Sequence, residues 1–267
     1  MFIFTPQFTS RMINLSLATF LVCLLPSQVF ASSLEGDDLA IKRMEIMLEK
    51  LGGKEVWANA RSVYTVERVR HYKYGDGIVE TVWRDLEKPA ASFKLMHPKL
   101  DLVYAWNKEF GWVSRDGAVR DLSRDEIQQK IVHWSRDIYT LFHQLAKGER
   151  ELTIKTMKPN GFRVLDEKKK KIGEFRLTPN GELYQWQRFG SKESVTYIYG
   201  PHKSFGAVNF PDWSTTTDGH WASYALQIQP SPKSFESQVS MEKPQPDCDE
   251  QAWKGGAVNY DCHEKKH

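Results

Sequence analysis

Cysteine is nearly missing from this chain: three residues in 267, Cys23, Cys248 and Cys262. That excludes a cysteine-rich metal or disulfide scaffold. Charge of one sign is also missing. Lys and Arg number 37 against 34 Asp and Glu, a formal net charge of +3, so the charge balance offers no nucleic-acid footprint. No G-x-G-x-x-G follows a strand-like run, which removes the usual dinucleotide fold, and no G-x-S-x-G elbow supports a serine hydrolase. Long apolar runs are absent too. The one apolar stretch, Ile13 to Leu25, is too short for a permanent membrane span.

That stretch reads instead as the centre of a secretory leader. Arg11 supplies the positive start, Pro26 breaks the run, and Val29-Phe30-Ala31 is a small-residue cleavage site. Removal of residues 1–31 takes Cys23 with it and leaves 236 residues. A chain of that length can bury a sizeable core. The expected layout is therefore a leader over 1–31, one domain over 32–240 and a polar tail over 241–267, with a periplasmic destination. In an exported chain the remaining pair, Cys248 and Cys262, reads as a disulfide. It would close a loop worth on the order of 3 kcal/mol in the chain-entropy picture. The tail also ends in His263-Glu264-Lys265-Lys266-His267, the His-Glu-x-x-His pattern of zinc peptidases. Charged flanks would not bury such a helix, and no residue follows to act as a further ligand. The match is an accident of composition, and no metal site is expected.

Glycine and proline punctuate the body. A first helix is predicted from Asp38 to Leu51, where Ile41, Met44, Leu48 and Leu51 form one apolar stripe and Gly52-Gly53 ends it. A second is predicted from Ser123 to Gly148 as one continuous helix. Ser123 and Glu126 form its capping box, and Ile127, Ile131, Trp134, Ile138, Leu141 and Leu145 form its stripe. Around these helices lie about a dozen short strand-like runs joined by tight turns, the signature of antiparallel pairing. Lys168 to Lys171 falls between two of them and reads as a solvated hairpin tip. The expected fold is α+β: a strongly curved antiparallel sheet of about 11–12 strands, an incomplete barrel with the helices on its concave face, because that many strands do not stay flat. Residues 201–218, with Phe205, Phe210, Pro211 and Trp213, read as an irregular loop covering a sheet edge.

Two stretches carry a resemblance. "LEKLGGKEVWANARSV" (48–63) is a helix, Gly-Gly, a small-residue turn and a first strand. "YIYGPHKSFGAVNFPDW" followed by "DGHWASYALQIQPSP" is a late tyrosine-bearing strand, a Gly- and Pro-marked crossing and a last strand. In this layout residues 38–232 resemble the LolA/LolB-like superfamily of envelope lipoprotein carriers. The resemblance implies an incomplete barrel around an apolar cavity that accepts acyl chains. It transfers no individual site residue.

The residues themselves point the same way. His71, His97, His133, His143, His202 and His220 are scattered and suggest no catalytic group. Alternation places Phe93 with Leu95, Leu102 with Tyr104 and Trp106, Tyr184 with Trp186, and Tyr197 with Tyr199 on shared strand faces. With Trp134 and Phe142 from the helix, these are the candidate wall of a ligand cavity; the alternative is that they simply fill the core. The expected function is an exported carrier of an acylated or lipid-like ligand such as an envelope lipoprotein, without catalysis, cofactor, nucleic acid or membrane span. An unrecognised hydrolase and a structural envelope partner are the alternatives.

Overall fold

The computed structural model describes residues 34–149, 151–190 and 193–245. The chain divides into two units, Met1–Ala31 and Ser32–His267, and every described residue belongs to the second. The leader, the Cys248–Cys262 pair and the His-Glu-x-x-His tail all lie outside the described residues.

The chain starts with β1 (Glu35–Gly36), α1 (Asp38–Lys50) and α2 (Lys54–Asn59). Six strands follow: β2 (Ser62–His71), β3 (Gly75–Asp85), β4 (Ala91–His97), β5 (Leu100–Trp106), β6 (Gly111–Arg115) and β7 (Ala118–Asp121). Then come α3 (Arg124–Trp134) and α4 (Ile138–Lys147). The remaining strands are β8 (Thr153–Met157), β9 (Gly161–Leu165), β10 (Lys171–Leu177), β11 (Leu183–Phe189), β12 (Ser194–Tyr199), β13 (His202–Phe205), β14 (Val208–Pro211), β15 (Trp213–Thr216) and β16 (Trp221–Ser231). Fourteen strands form one sheet in the order β1-β8-β9-β10-β11-β12-β15-β16-β2-β3-β4-β5-β6-β7. Every neighbouring pair is antiparallel except the two-residue β1–β8 contact. Because β1 and β7 are both edges, the sheet is not closed: it is an incomplete barrel.

The long helix expected over 123–148 is two helices. Asp137 interrupts it, its carboxylate accepting from the Tyr139 amide to cap α4, a contact that favours a fresh helix start over continuation. The Ser123–Glu126 capping box is present on α3, and Gly148, at φ 72°, ends α4 in the left-handed conformation. α1 ends at the expected Gly52-Gly53 pair, both at positive φ. Its N-cap Asp37 also accepts from the backbone amide of Thr156 at 2.7 Å, tying the helix to β8.

The segment 201–218 is ordered rather than irregular. β13 and β14 form a two-stranded hairpin, and β15 joins the main sheet between β12 and β16. Alternation along Val208-Asn209-Phe210 turns Val208 and Phe210 into the core, which a turn-rich sequence concealed.

One half of the concave face is solidly filled. Eight of the ten residues of α4 are buried, and Phe142 packs against Trp57, Phe175 and Phe210 with ring centroids 5.2, 6.1 and 6.2 Å away. Met44, Met47 and Leu48 of α1 join this cluster. On the outer face the segment after β16 lies along the sheet. Phe235 is buried, the Trp112 indole donates to the Met241 carbonyl at 3.0 Å, and Lys243 meets Asp121 at 3.0 Å.

Candidate functional site

The other half of the concave face is not filled. Strand pairing sets its inward side chains in rows. One row runs Arg84, Ala91, Trp106; the next runs Val82, Phe93, Tyr104, Val113, Arg120; a third runs Glu80, Leu95, Leu102, Arg115. α3 roofs the first two rows and presents Glu126, Gln129, Lys130, His133 and Trp134 to them. Between roof and floor is a hollow of about 600 Å³. A second hollow of about 280 Å³ adjoins it, sharing Glu80, Leu102 and Val113, and is walled further along by Val69, Ile78, Leu95 and Leu100. Together they form one trough along β3–β6.

The candidate wall residues divide between the two halves. Phe93, Leu102, Tyr104, Trp106 and Trp134 line the larger hollow and Leu95 the smaller. Phe93 and Tyr104 stack with centroids 4.6 Å apart, and the Trp134 indole donates to the Asp85 carbonyl at 2.6 Å. Phe142, Trp186 and Tyr199 instead belong to the packed core, with Tyr197 packed against it. Tyr184 lines neither hollow. A register shift in the β10–β11 pairing sets Leu183 opposite Leu177 while Trp186 stays opposite Phe175, so it is Leu183 that is buried with Trp186. Simple alternation fails there because a bulge moves one residue out of step.

Charges inside the barrel escaped the sequence reading. Glu67 and Glu80 sit directly opposite each other on β2 and β3, where like charges repel. Burial, then the neighbouring Glu67, pushes the Glu80 carboxyl up to about 8. Burial also raises Glu67, with the Ser223 hydroxyl acting against the shift. Near neutral pH Glu80 is thus held mostly protonated. Two rows along β3, Arg84 meets Asp137 at 3.3 Å, donates to the Thr65 hydroxyl at 3.0 Å and lies 5.1 Å over the Tyr139 ring. Arg120 grips Glu126 through two bonds of 2.8 and 2.9 Å, which pull that carboxyl down to about 2. Lys130 holds its ammonium 3.7 Å from the Tyr104 ring centroid, and burial lowers its pKa.

Two signals could have found these residues. Glu126, Gln129, Lys130 and His133 recur at three- and four-residue spacing, a helix face of their own. Glu67, Glu80 and Arg84 share the inward parity of Val63, Val69, Ile78 and Val82 on β2 and β3.

No Ser, Thr or Cys lines either hollow, so a nucleophile–base pair of that kind is missing from the trough. Among the described residues no cluster of His, Cys, Asp or Glu could hold a metal ion, and no helix is long and apolar enough to cross a membrane.

No family model matches the sequence, and no curated protein does. Solved structures similar to the chain include the following two. One is a Vibrio parahaemolyticus domain assigned to outer membrane lipoprotein sorting, with 10% identity and a TM-score of 0.37 over 76% of this chain and 95% of that one. The other is LprF from Mycobacterium bovis, with 10% identity and a TM-score of 0.35 over 76% and 97%. Likeness this distant identifies neither a function nor a ligand for the chain, whose own established character is the open, curved antiparallel sheet with its half-empty interior.

Proposed function

We propose that this chain is an exported, periplasmic carrier that holds an acyl chain or lipid-like ligand, such as the acylated end of an envelope lipoprotein, in the trough under α3, without catalysis. The observation that carries this reading is the hollow itself. About 600 Å³ between Phe93, Leu102, Tyr104 and Trp106 on the floor and Trp134 on the roof lies within the usual range for a ligand pocket. Aromatic side chains with one polar tip suit such a wall. The leader-like N-terminal sequence supports export.

The Glu67–Glu80 pair is the observation that favours a hydrolase instead, since glycoside hydrolysis uses two carboxyl groups. It requires one of them ionised. Here burial raises both carboxyls, and Glu67 lines neither hollow. The carrier reading is the better supported.

The test is gentle purification followed by native and lipid mass spectrometry, with uptake of a fluorescent fatty acid measured on delipidated protein. Copurified lipid and saturable uptake are expected. Repeated recovery of empty protein that takes up no fluorescent acid would overturn the reading.

A further inference from the structure

The two ends of the trough differ in kind. At the α3 end four cations, Arg84, Arg120, Lys130 and Arg188, line the larger hollow. Arg84 and Arg120 are committed to Asp137 and Glu126. Lys130 makes no direct ion pair among the described residues: it lies against the face of Tyr104, and the Glu126 carboxylate acts on it only through space. Arg188, facing the same space from β11, makes no side-chain ion pair or hydrogen bond among the described residues. Both cations act on His133, whose imidazole is kept neutral first by burial and then by their positive charge. The third carboxyl of the hollow, Glu80, is pushed up to about 8 and offers little negative charge near neutrality. At the far end Val69, Ile78, Leu95 and Leu100 are apolar; His71 also lines it, and its one arginine, Arg115, is paired with Asp116 at 3.8 Å. A cation pair drawn partly out of water without a direct anionic partner favours an incoming anion.

We propose that the trough selects an amphiphile with an anionic headgroup, a phosphate monoester or a carboxylate, seated between Lys130 and Arg188 with its chain running along β5 toward Leu100. This rests on the carrier reading and adds the class of ligand. Glu80 does not repel such a chain, because a protonated carboxyl lines the wall as a neutral group. The paired Arg120–Glu126 bridge closes one side of the headgroup space and leaves Lys130 and Arg188 to face the ligand.

The test compares three compounds on the delipidated protein, read by the change in total tryptophan fluorescence, to which Trp106 and Trp134 in the trough contribute: 1-palmitoyl lysophosphatidic acid, monopalmitoylglycerol and glycerol 3-phosphate. The first two share the chain and differ in the phosphate; the third has the phosphate without the chain. Lysophosphatidic acid is expected to bind about 10- to 100-fold more tightly than monopalmitoylglycerol, the size of a charged hydrogen-bonded contact. The K130Q/R188Q double variant is expected to lose that preference while binding monopalmitoylglycerol as before. A K130R/R188K variant, which keeps both charges, is expected to retain it. Equal binding of the two lipids by the unaltered protein, or a preference that survives K130Q/R188Q, would overturn the headgroup site alone. Glycerol 3-phosphate bound as tightly as lysophosphatidic acid would also overturn it, by showing a free-anion site with no role for the chain. If neither lipid binds, the carrier reading falls with it.

Discussion

One sheet builds two opposite interiors in this molecule. Over β8–β12 the inward side chains meet α1 and α4, and rings interlock: Phe162 and Phe175 stack at 5.0 Å beneath Phe142. Over β3–β7 the inward residues also include aromatics, Phe93, Tyr104 and Trp106, yet they face α3, of whose residues only Ile127 is buried. The difference lies in the helices. α4 is buried nearly all round, while α3 turns a polar face, Glu126, Gln129, Lys130 and His133, toward the barrel. A curved sheet encloses a volume; the polarity of the covering helix decides whether that volume becomes core or cavity. The comparison is broken most directly by truncating one phenylalanine in each half. Phe142→Ala should cost about 3–5 kcal/mol, since it opens a void in a tight cluster. Phe93→Ala, whose ring already faces open space, should cost roughly 1–2 kcal/mol. Urea unfolding of both variants measures the contrast, and equal losses would show that the two halves are packed alike.

A second contrast is electrostatic. The filled half buries apolar groups, whereas the hollow half carries Glu80 opposite Glu67. Folding raises the Glu80 carboxyl from its ordinary range near 4.3 to about 8, so between these values the folded state binds more protons than the unfolded one. Stability is therefore fully present below the lower value and falls as pH rises toward and through 8. The loss should be roughly 2–4 kcal/mol between pH 5 and 8.5. Glu80→Gln should flatten much of that slope and leave the protein more stable than the parent at pH 8.5, as read from chemical denaturation across pH. A slope unchanged in Glu80→Gln would place the titrating group elsewhere.

The boundary between the halves is Asp137, which both caps α4 and pairs with Arg84. Asp137→Ala removes the cap and the counter-charge together. Loss of a buried partner alone can cost about 3–5 kcal/mol. Here Glu67 and Glu80 lie close enough to act on Arg84, and either can ionise in compensation. A cost of about 1–3 kcal/mol is therefore expected. Asp137→Asn keeps a capping side chain and should separate the two contributions, with Asn recovering about 1 kcal/mol of the loss. If both variants match the parent in thermal unfolding, Asp137 does not hold the junction.

Most strands were legible because turn residues bracket them. Asp116-Gly117 marks the β6–β7 turn, and the observed strands follow the apolar runs closely; Gly75-Asp76-Gly77, expected as the β2–β3 turn, instead begins β3, and the chain turns one step earlier at Tyr72–Tyr74. The curvature was legible too, as a consequence of strand number. What escaped had local causes. The α3–α4 break was hidden because Ile127 to Leu145 keeps its spacing through it, and only Asp137, read as a capping residue, betrays it. The β13–β14 hairpin was hidden by Pro211 and by glycines that read as loop. Tyr184 was misplaced by a bulge that pairing alone reveals. The polar roof of the hollow was passed over because attention to an apolar stripe treats the opposite face as solvent-facing. On α3 the polar face is the one that matters.

The smallest expected effect on stability is the sharpest for function. Leu102 lies where the two hollows meet and lines both. In a packed interior, enlarging such a residue typically costs 1–3 kcal/mol through overpacking. Leu102→Trp should cost less than about 1 kcal/mol, because the added ring has open volume to enter. The same ring would stand in the path of an acyl chain, so uptake of a fluorescent fatty acid should fall steeply while the urea midpoint stays close to that of the parent. A large loss of stability would show that the trough is tighter than its volume indicates. Unchanged uptake at unchanged stability would place the chain elsewhere and remove the main support for the carrier reading.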